Sequence, residues 1–135
     1  MHKLYLSLGS NLGDRAANIH KALELIDERI GSVYRTSSLI ETEPCGFHSD
    51  NLFLNSVCLV HTHFSPQRCL GETQLIEQMM GRKEKTVDGV YHDRIIDIDL
   101  LMYDNLEVNE PQLTLPHPRM KERDFVMLPL QEILV

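Results

Sequence analysis

Arg94-Ile95-Ile96-Asp97-Ile98-Asp99-Leu100-Leu101 is the stretch on which the fold turns. Aliphatic and β-branched residues from Ile95 to Met102 predict a strand. Side chains two apart share a strand face, so Asp97 and Asp99 point the same way, about 7 Å apart along the chain. Ile95 and Leu101 share that face, while Ile96, Ile98, Leu100 and Met102 fill the other. A strand this apolar is expected to be buried on both sides, where two carboxylates need partners. The ordinary alternative is a half-solvated strand that turns both aspartates to water.

Upstream, a polar loop from Arg82 to Asp93 separates this strand from a helix. Ser65 is the expected N-cap and Pro66 the first helical residue, and the stripe Cys69, Thr73, Ile76, Met80 carries the helix to Gly81. Phe53 to Thr62 alternates as a strand, preceded by a turn-rich loop around Glu43 to Asn51 and by a Thr-, Val-, Tyr- and Ser-containing strand from Val33 to Ile40. Asp14 can cap a helix with the apolar stripe Ile19, Leu23, Ile26, Ile30, stopped by Gly31. Leu4 to Leu8 is a strand that leads into a turn at Gly9-Ser10-Asn11. The order β-α-β-β-α-β predicts an α+β, ferredoxin-like core, an antiparallel sheet with both helices packed on one face. Leu113-Thr114-Leu115-Pro116 and Met120 to Ile133 add a short strand and a helical segment. Residues 1–135 read as a single domain.

The 135 residues carry 20 carboxylates against 13 Lys plus Arg, a net charge of −7. That balance argues against a nucleic acid partner, which needs positive surface. Seven of the 13 bases nevertheless lie between Arg82 and Arg123, so a local anion site is compatible with an acidic protein. No apolar run approaches the roughly 20 residues that span a bilayer, and the N-terminus turns polar at Ser7 without a signal peptide's apolar region. Cys45, Cys58 and Cys69 are odd in number and form no CxxC pair. The expectation is therefore a cytoplasmic protein with no membrane partner and no disulfide framework.

Two carboxylates on one strand face suit a hard divalent cation such as Mg²⁺, which completes its shell with water and substrate phosphate. Arg94 and Arg82, at the two ends of the polar loop, can hold phosphate oxygens bidentately. Gly9-Ser10-Asn11-Leu12-Gly13 fails as a phosphate loop, lacking the Gly-Lys-Ser/Thr ending, and reads as a tight turn before a helix. Phe53 and Asn55 share a strand face and offer a flat heteroaromatic ligand a stacking surface and a donor–acceptor edge. Phe is also an ordinary core residue. His61 and His63 share a face at metal-ligand spacing, but no third ligand is evident, so an exposed or satisfied pair is the better reading. His117, restrained between Pro116 and Pro118 and followed by Arg119, Lys121 and Arg123, reads equally as an anion contact or as a polar loop.

Taken together these stretches resemble the 6-hydroxymethyl-7,8-dihydropterin pyrophosphokinase family of folate biosynthesis, from about Lys3 to Ile133. The matching residues are Leu8 to Asp14, Glu41-Thr42-Glu43-Pro44, Phe53-Leu54-Asn55, Gly81-Arg82, Arg94 to Leu100, and Leu113 to Pro118. The resemblance implies transfer of the β,γ-diphosphate of ATP onto the pterin hydroxymethyl group, leaving AMP. It implies that Asp97 and Asp99 hold two Mg²⁺ ions, that Arg82 and Arg94 engage the polyphosphate, and that these four residues are catalytic. Gln74, Glu77, Arg82, Arg94, Leu100, Thr114, His117 and Arg123 match the ATP site. Thr42, Pro44, Cys45, Phe53, Asn55 and Phe125 match the pterin site, with the two phenylalanines on opposite ring faces. The chain departs from common family features in having His92-Asp93 where Gly-Pro is frequent, no Trp in that loop, and Gln112 at a position that can be Arg. A ferredoxin-like regulatory module that binds a small molecule without turnover remains the rival, and it leaves the Asp pair and its arginines unexplained.

Overall fold

The computed structural model describes residues 1–43, 51–81 and 95–134. Pro44, Cys45, Arg82, Arg94 and the polar loop between the two arginines lie outside the described residues. Two capping side chains start the helices that cover the sheet. Asp14 accepts the Ala17 N–H at 3.1 Å and opens α1 (Arg15–Arg29). Ser65 accepts the Arg68 N–H at 3.2 Å and opens α2 (Pro66–Met79), with Pro66 in the first turn. Each satisfies one of the orphan donors of a first helical turn.

The strands are β1 (His2–Ser10), β2 (Ser32–Thr36), β3 (Ile40–Thr42), β4 (Phe53–Thr62) and β5 (Asp97–Tyr103), in the spatial order β2-β4-β1-β5, with β3 also on β4. Every neighbouring pair is antiparallel. The single strand expected from Val33 to Ile40 is two. Between them Ser37 replaces ordinary ladder contacts: its N–H donates to the Val57 carbonyl at 2.8 Å, and its hydroxyl accepts the Val57 N–H at 2.8 Å. A hydroxyl competing for main-chain groups is a physical reason for a strand to break. Gly31 is required for closeness, since a Cβ there would stand 2.1 Å from the His61 carbonyl oxygen.

Both sheet faces are covered, by different elements. Leu4, Leu6, Leu8, Cys58, Val60, Ile96, Ile98, Leu100 and Tyr103 meet α1 and α2 in the larger core. On the opposite face Tyr5, Val57, Leu59 and Leu101 meet Met120, Val126, Leu130 and Ile133. Those last residues belong to a 3-10 turn (Met120–Glu122) and to α3 (Asp124–Ile133). The tail also holds a hairpin, β6 (Val108–Glu110) with β7 (Leu113–Leu115), of which the sequence pattern signalled only the second strand.

One face assignment is corrected. Leu6 pairs with Leu100 and Tyr5 with Met102, so Leu101 is an extra residue in β5. Such a bulge shifts the alternation. Met102 therefore packs with Leu101 on the α3 side, away from Ile96, Ile98 and Leu100, and Tyr103 returns to the larger core. No helix among the described residues is long and apolar enough to cross a membrane.

Candidate active site

The end of β1 organises the polar part of the sheet. Gly9 pairs with Asn55 of β4 on one side and with Asp97 of β5 on the other, and Ser7 pairs with Val57 and Asp99. Cross-strand partners share a face. Because Val57 packs towards α3, the row Asn55–Gly9–Asp97 and its neighbour Asp99 lie on the α3 side, beyond the apolar cluster. Gly9 is a strand residue here, since β1 runs to Ser10 and the turn follows with Gly13 at φ +70°. The glycine turn expected at Gly9 thus sits later in the chain. A Cβ on Gly9 would come 3.2 Å from Asn55 Oδ1 and 3.4 Å from Phe53 Cδ1. Its missing side chain leaves bare backbone between the amide, the ring and the aspartate.

Asn55 is buried, and its Nδ2 donates to Thr42 Oγ1 at 2.7 Å. That bond, a cross-strand diagonal next to the Thr42–Phe53 register pair, fixes which way the amide faces. Asp97 and Asp99 are half-buried on one strand face, as the spacing required. Their donor set is oxygen alone, two residues apart, where the sheet face is left uncovered by α3; that chemistry fits a hard divalent cation. Among the described residues no cluster of three His, Cys, Asp or Glu side chains gathers. His61 stacks on Tyr34 with ring centroids 4.5 Å apart.

A second group of residues gathers at the outer edge of β5. Glu77, only 4% exposed, reaches from α2 to accept the Ile98 N–H at 2.8 Å. The His117 N–H donates to the Leu101 carbonyl at 2.8 Å, and His117 Nδ1 accepts the Arg119 N–H at 3.1 Å. An Nδ1 that accepts puts the proton of the neutral ring on Nε2. Between these anchors the side chain of Leu100 is buried in the larger core, so what Leu100 brings to this edge is main chain. Gln74 lies exposed on α2 one turn before Glu77, and Thr114 is exposed on β7. Arg123 sets its guanidinium carbon 5.6 Å from the centroid of the Phe125 ring, which packs on the edge of the apolar cluster. Burial pushes the Cys58 thiol up to about 12 and the Cys69 thiol up to about 11.

The sequence model of the 7,8-dihydro-6-hydroxymethylpterin-pyrophosphokinase (HPPK) family matches residues 5–135. The chain belongs to that family. It is similar to the 2-amino-4-hydroxy-6-hydroxymethyldihydropteridine pyrophosphokinase of Porphyromonas gingivalis, 48% identical over 96% of this chain and 89% of the relative. The enzyme of the same name from Bacillus subtilis is 38% identical over 96% of this chain and 76% of its own length. Among solved structures, an HPPK-DHPS in complex with substrates superposes with a TM-score of 0.75 at 16% identity, over 98% of this chain and 40% of that one. A Plasmodium falciparum HPPK-DHPS triple mutant with STZ-DHP gives 0.78 at 17% identity, again over 40% of its length. The chain thus spans about two fifths of these longer HPPK-DHPS chains, and the likeness to them is one of fold.

The sequence pattern marks Gly9 to Gly13 only as a tight turn before a helix, with no sign that Gly9 stands between Asn55 and Asp97. The signal for Gly9 was its place at the end of an otherwise aliphatic strand, opposite both Asn55 and Asp97; reading it required the strand register.

Proposed function

We propose that the protein transfers the β,γ-diphosphate of ATP to the hydroxymethyl group of 6-hydroxymethyl-7,8-dihydropterin, releasing AMP and the pterin diphosphate, in folate biosynthesis. The observation that carries this reading is the row Asn55–Gly9–Asp97, which sets a heteroaromatic-reading amide and an acidic pair on one face of the sheet. The pterin lies over the bare backbone of Gly9. Phe53 and Phe125 stack on its two faces, and Asn55, oriented by Thr42, reads its edge. The family pattern assigns Pro44 and Cys45, outside the described residues, to the same pterin site. ATP runs along the outer edge of β5 past Gln74, Glu77, the main chain of Leu100, Thr114 and His117, with Arg82, Arg94 and Arg123 on its phosphates.

Asp97 and Asp99 would hold Mg²⁺, two ions in the family pattern. When bound, Mg²⁺ neutralises polyphosphate charge and acidifies the attacking hydroxyl. The hydroxymethyl oxygen forms a bond to the β-phosphorus while the bond from that phosphorus to the α,β-bridging oxygen breaks, and AMP leaves with that oxygen. Asp97, which shares the row with Gly9 and Asn55, is the carboxylate assigned the hydroxyl proton. The guanidinium groups compensate the charge that develops on the leaving AMP.

The strand order β2-β4-β1-β5, with α1 and α2 on one face, supports assigning the scaffold to the ferredoxin-like class. A cytoplasmic location goes with two free, buried thiols. The test is product analysis with ATP, Mg²⁺ and the hydroxymethyl pterin. Pterin-dependent AMP is expected. ADP in its place would mean a simple kinase, and binding without turnover would favour the regulatory module.

A further inference from the structure

Arg15 is the first residue of α1 and has no helical reason to be there, because the positive end of the helix dipole disfavours a cation in the first turn. Its guanidinium is occupied elsewhere. Nη1 donates to the Leu52 carbonyl at 2.9 Å, and Nη2 lies 2.8 Å from Glu41 Oε2. Leu52 precedes Phe53 and Glu41 precedes Thr42, while Thr42 and Phe53 are register partners across β3 and β4. One planar fork therefore grips β3 and the residue leading into β4, beside the pair that orients Asn55 and carries the stacking ring. Asn11, 2% exposed, adds a bond from Nδ2 to the Asn51 carbonyl at 3.2 Å. The same turn is held in shape by Asn18, whose Nδ2 donates to the Leu12 carbonyl at 2.8 Å.

Leu54 packs this end of β4 on the larger core and the ladder ties it to β1, but the side of it that faces the start of α1 is polar. A cavity of about 350 Å³ lies among Asn11, Arg15, Glu41 and Leu52, so the ends of β3 and β4 are joined to α1 here by hydrogen bonds across open, polar space.

We propose that Arg15 is a positioning residue for the pterin half of the site: its ion pair with Glu41 of β3 and its hydrogen bond to the Leu52 carbonyl, just ahead of β4, set the places of Thr42, Phe53 and Asn55. The inference rests on the reading of those three residues as pterin contacts. An exposed ion pair alone is worth little to stability, so the effect of Arg15 is expected in substrate affinity rather than in folding.

The experiment compares Arg15→Met, Arg15→Lys and Phe53→Ala with the wild type. Steady-state KM is measured for ATP and for pterin, pterin binding is followed by its fluorescence, and unfolding temperature is recorded. Arg15→Met is expected to raise the pterin KM about tenfold, the scale of one hydrogen bond to a charged group. The ATP KM is expected to stay within about twofold, a change worth less than one such bond. Arg15→Lys, which can reach one acceptor but not both, is expected to fall between. A wild-type pterin KM in Arg15→Met, or equal rises for ATP and pterin, would overturn the proposal. If Arg15→Met does not fold, Arg15→Lys decides: a selective rise in pterin KM supports it and wild-type constants overturn it. Phe53→Ala separates the two levels. Weakened pterin binding in Phe53→Ala with none in Arg15→Met sinks this inference alone, whereas no effect in either sinks the pterin site with it.

Discussion

The sheet face that meets α3 has two ends made from the same strands. At one end Tyr5, Val57, Leu59 and Leu101 are closed over by Met120, Val126, Leu130 and Ile133. At the other, a few residues along β1, β4 and β5, stand Gly9, Asn55, Asp97 and Asp99. The covered end gains stability from apolar burial; the open end keeps half-buried carboxylates that an apolar core would not tolerate singly. The β1–β4 ladder runs unbroken through both, while β1–β5 shifts register between them at Leu101. A rigid, well-packed half thus holds the polar half in place, and substitutions in the two halves are expected to act on different observables.

The comparison can be broken at either end. At the covered end, Leu130→Ala removes a side chain 2% exposed. It is expected to cost about 2–5 kcal/mol of stability, read by chemical denaturation, with kcat preserved wherever the protein remains folded. A comparable loss of kcat in the folded variant would mean that the two ends are not separable. At the open end, Asp97→Ala or Asp99→Ala is expected to lower the transfer rate by at least ~3 kcal/mol, about a hundredfold or more. Near-wild-type rates in either would remove the metal assignment.

Gly9→Ala tests the row between them. The new methyl would crowd Asn55 Oδ1 at 3.2 Å and fill the space beside the Phe53 ring, and pterin binding is expected to weaken about tenfold, the low end of the ~1–3 kcal/mol cost of overpacking. Unchanged pterin affinity would show that the ring does not lie over that backbone.

The smallest effect belongs to the far end of β1, where Asp104 accepts the Lys3 N–H at 2.7 Å and meets His2 at 2.7 Å. Burial alone would raise the Asp104 carboxyl, but the Lys3 N–H and His2 outweigh it and the net shift is downward. A carboxyl lowered in the folded state stabilises it above the unfolded pKa, and that contribution is lost as pH falls through the folded value. Asp104→Asn is therefore expected to cost under ~1 kcal/mol at neutral pH, nothing at strongly acid pH, and to leave the transfer rate unchanged. A rate effect would link this clip to the site.

Elements whose signal is local could be read from sequence. Asp14 and Ser65 cap the helices they were expected to cap, because an N-cap needs only its own side chain and the next turn. The Asp97–Asp99 face followed from strand alternation alone. What depends on a distant partner was not legible. The bulge at Leu101 exists only against Tyr5 and Leu6, and the break at Ser37 only against Val57. β6 is a three-residue strand with a single partner, β7. The site divides in the same way. Asp97 and Asp99 stand out by type and spacing, whereas Phe53 and Asn55 give a weaker signal that an ordinary core phenylalanine also explains. Gly9 matters through what stands across from it, and Arg15 through the carbonyl of Leu52 and the carboxylate of Glu41.

The most direct test of the account is the mass of the pterin product formed in a single turnover, with enzyme in excess over pterin and ATP and Mg²⁺ present. The open end of the sheet as a pyrophosphokinase site predicts a pterin carrying two phosphoryl units from its first appearance, in step with AMP. A pterin carrying one unit, formed in step with ADP, would contradict it.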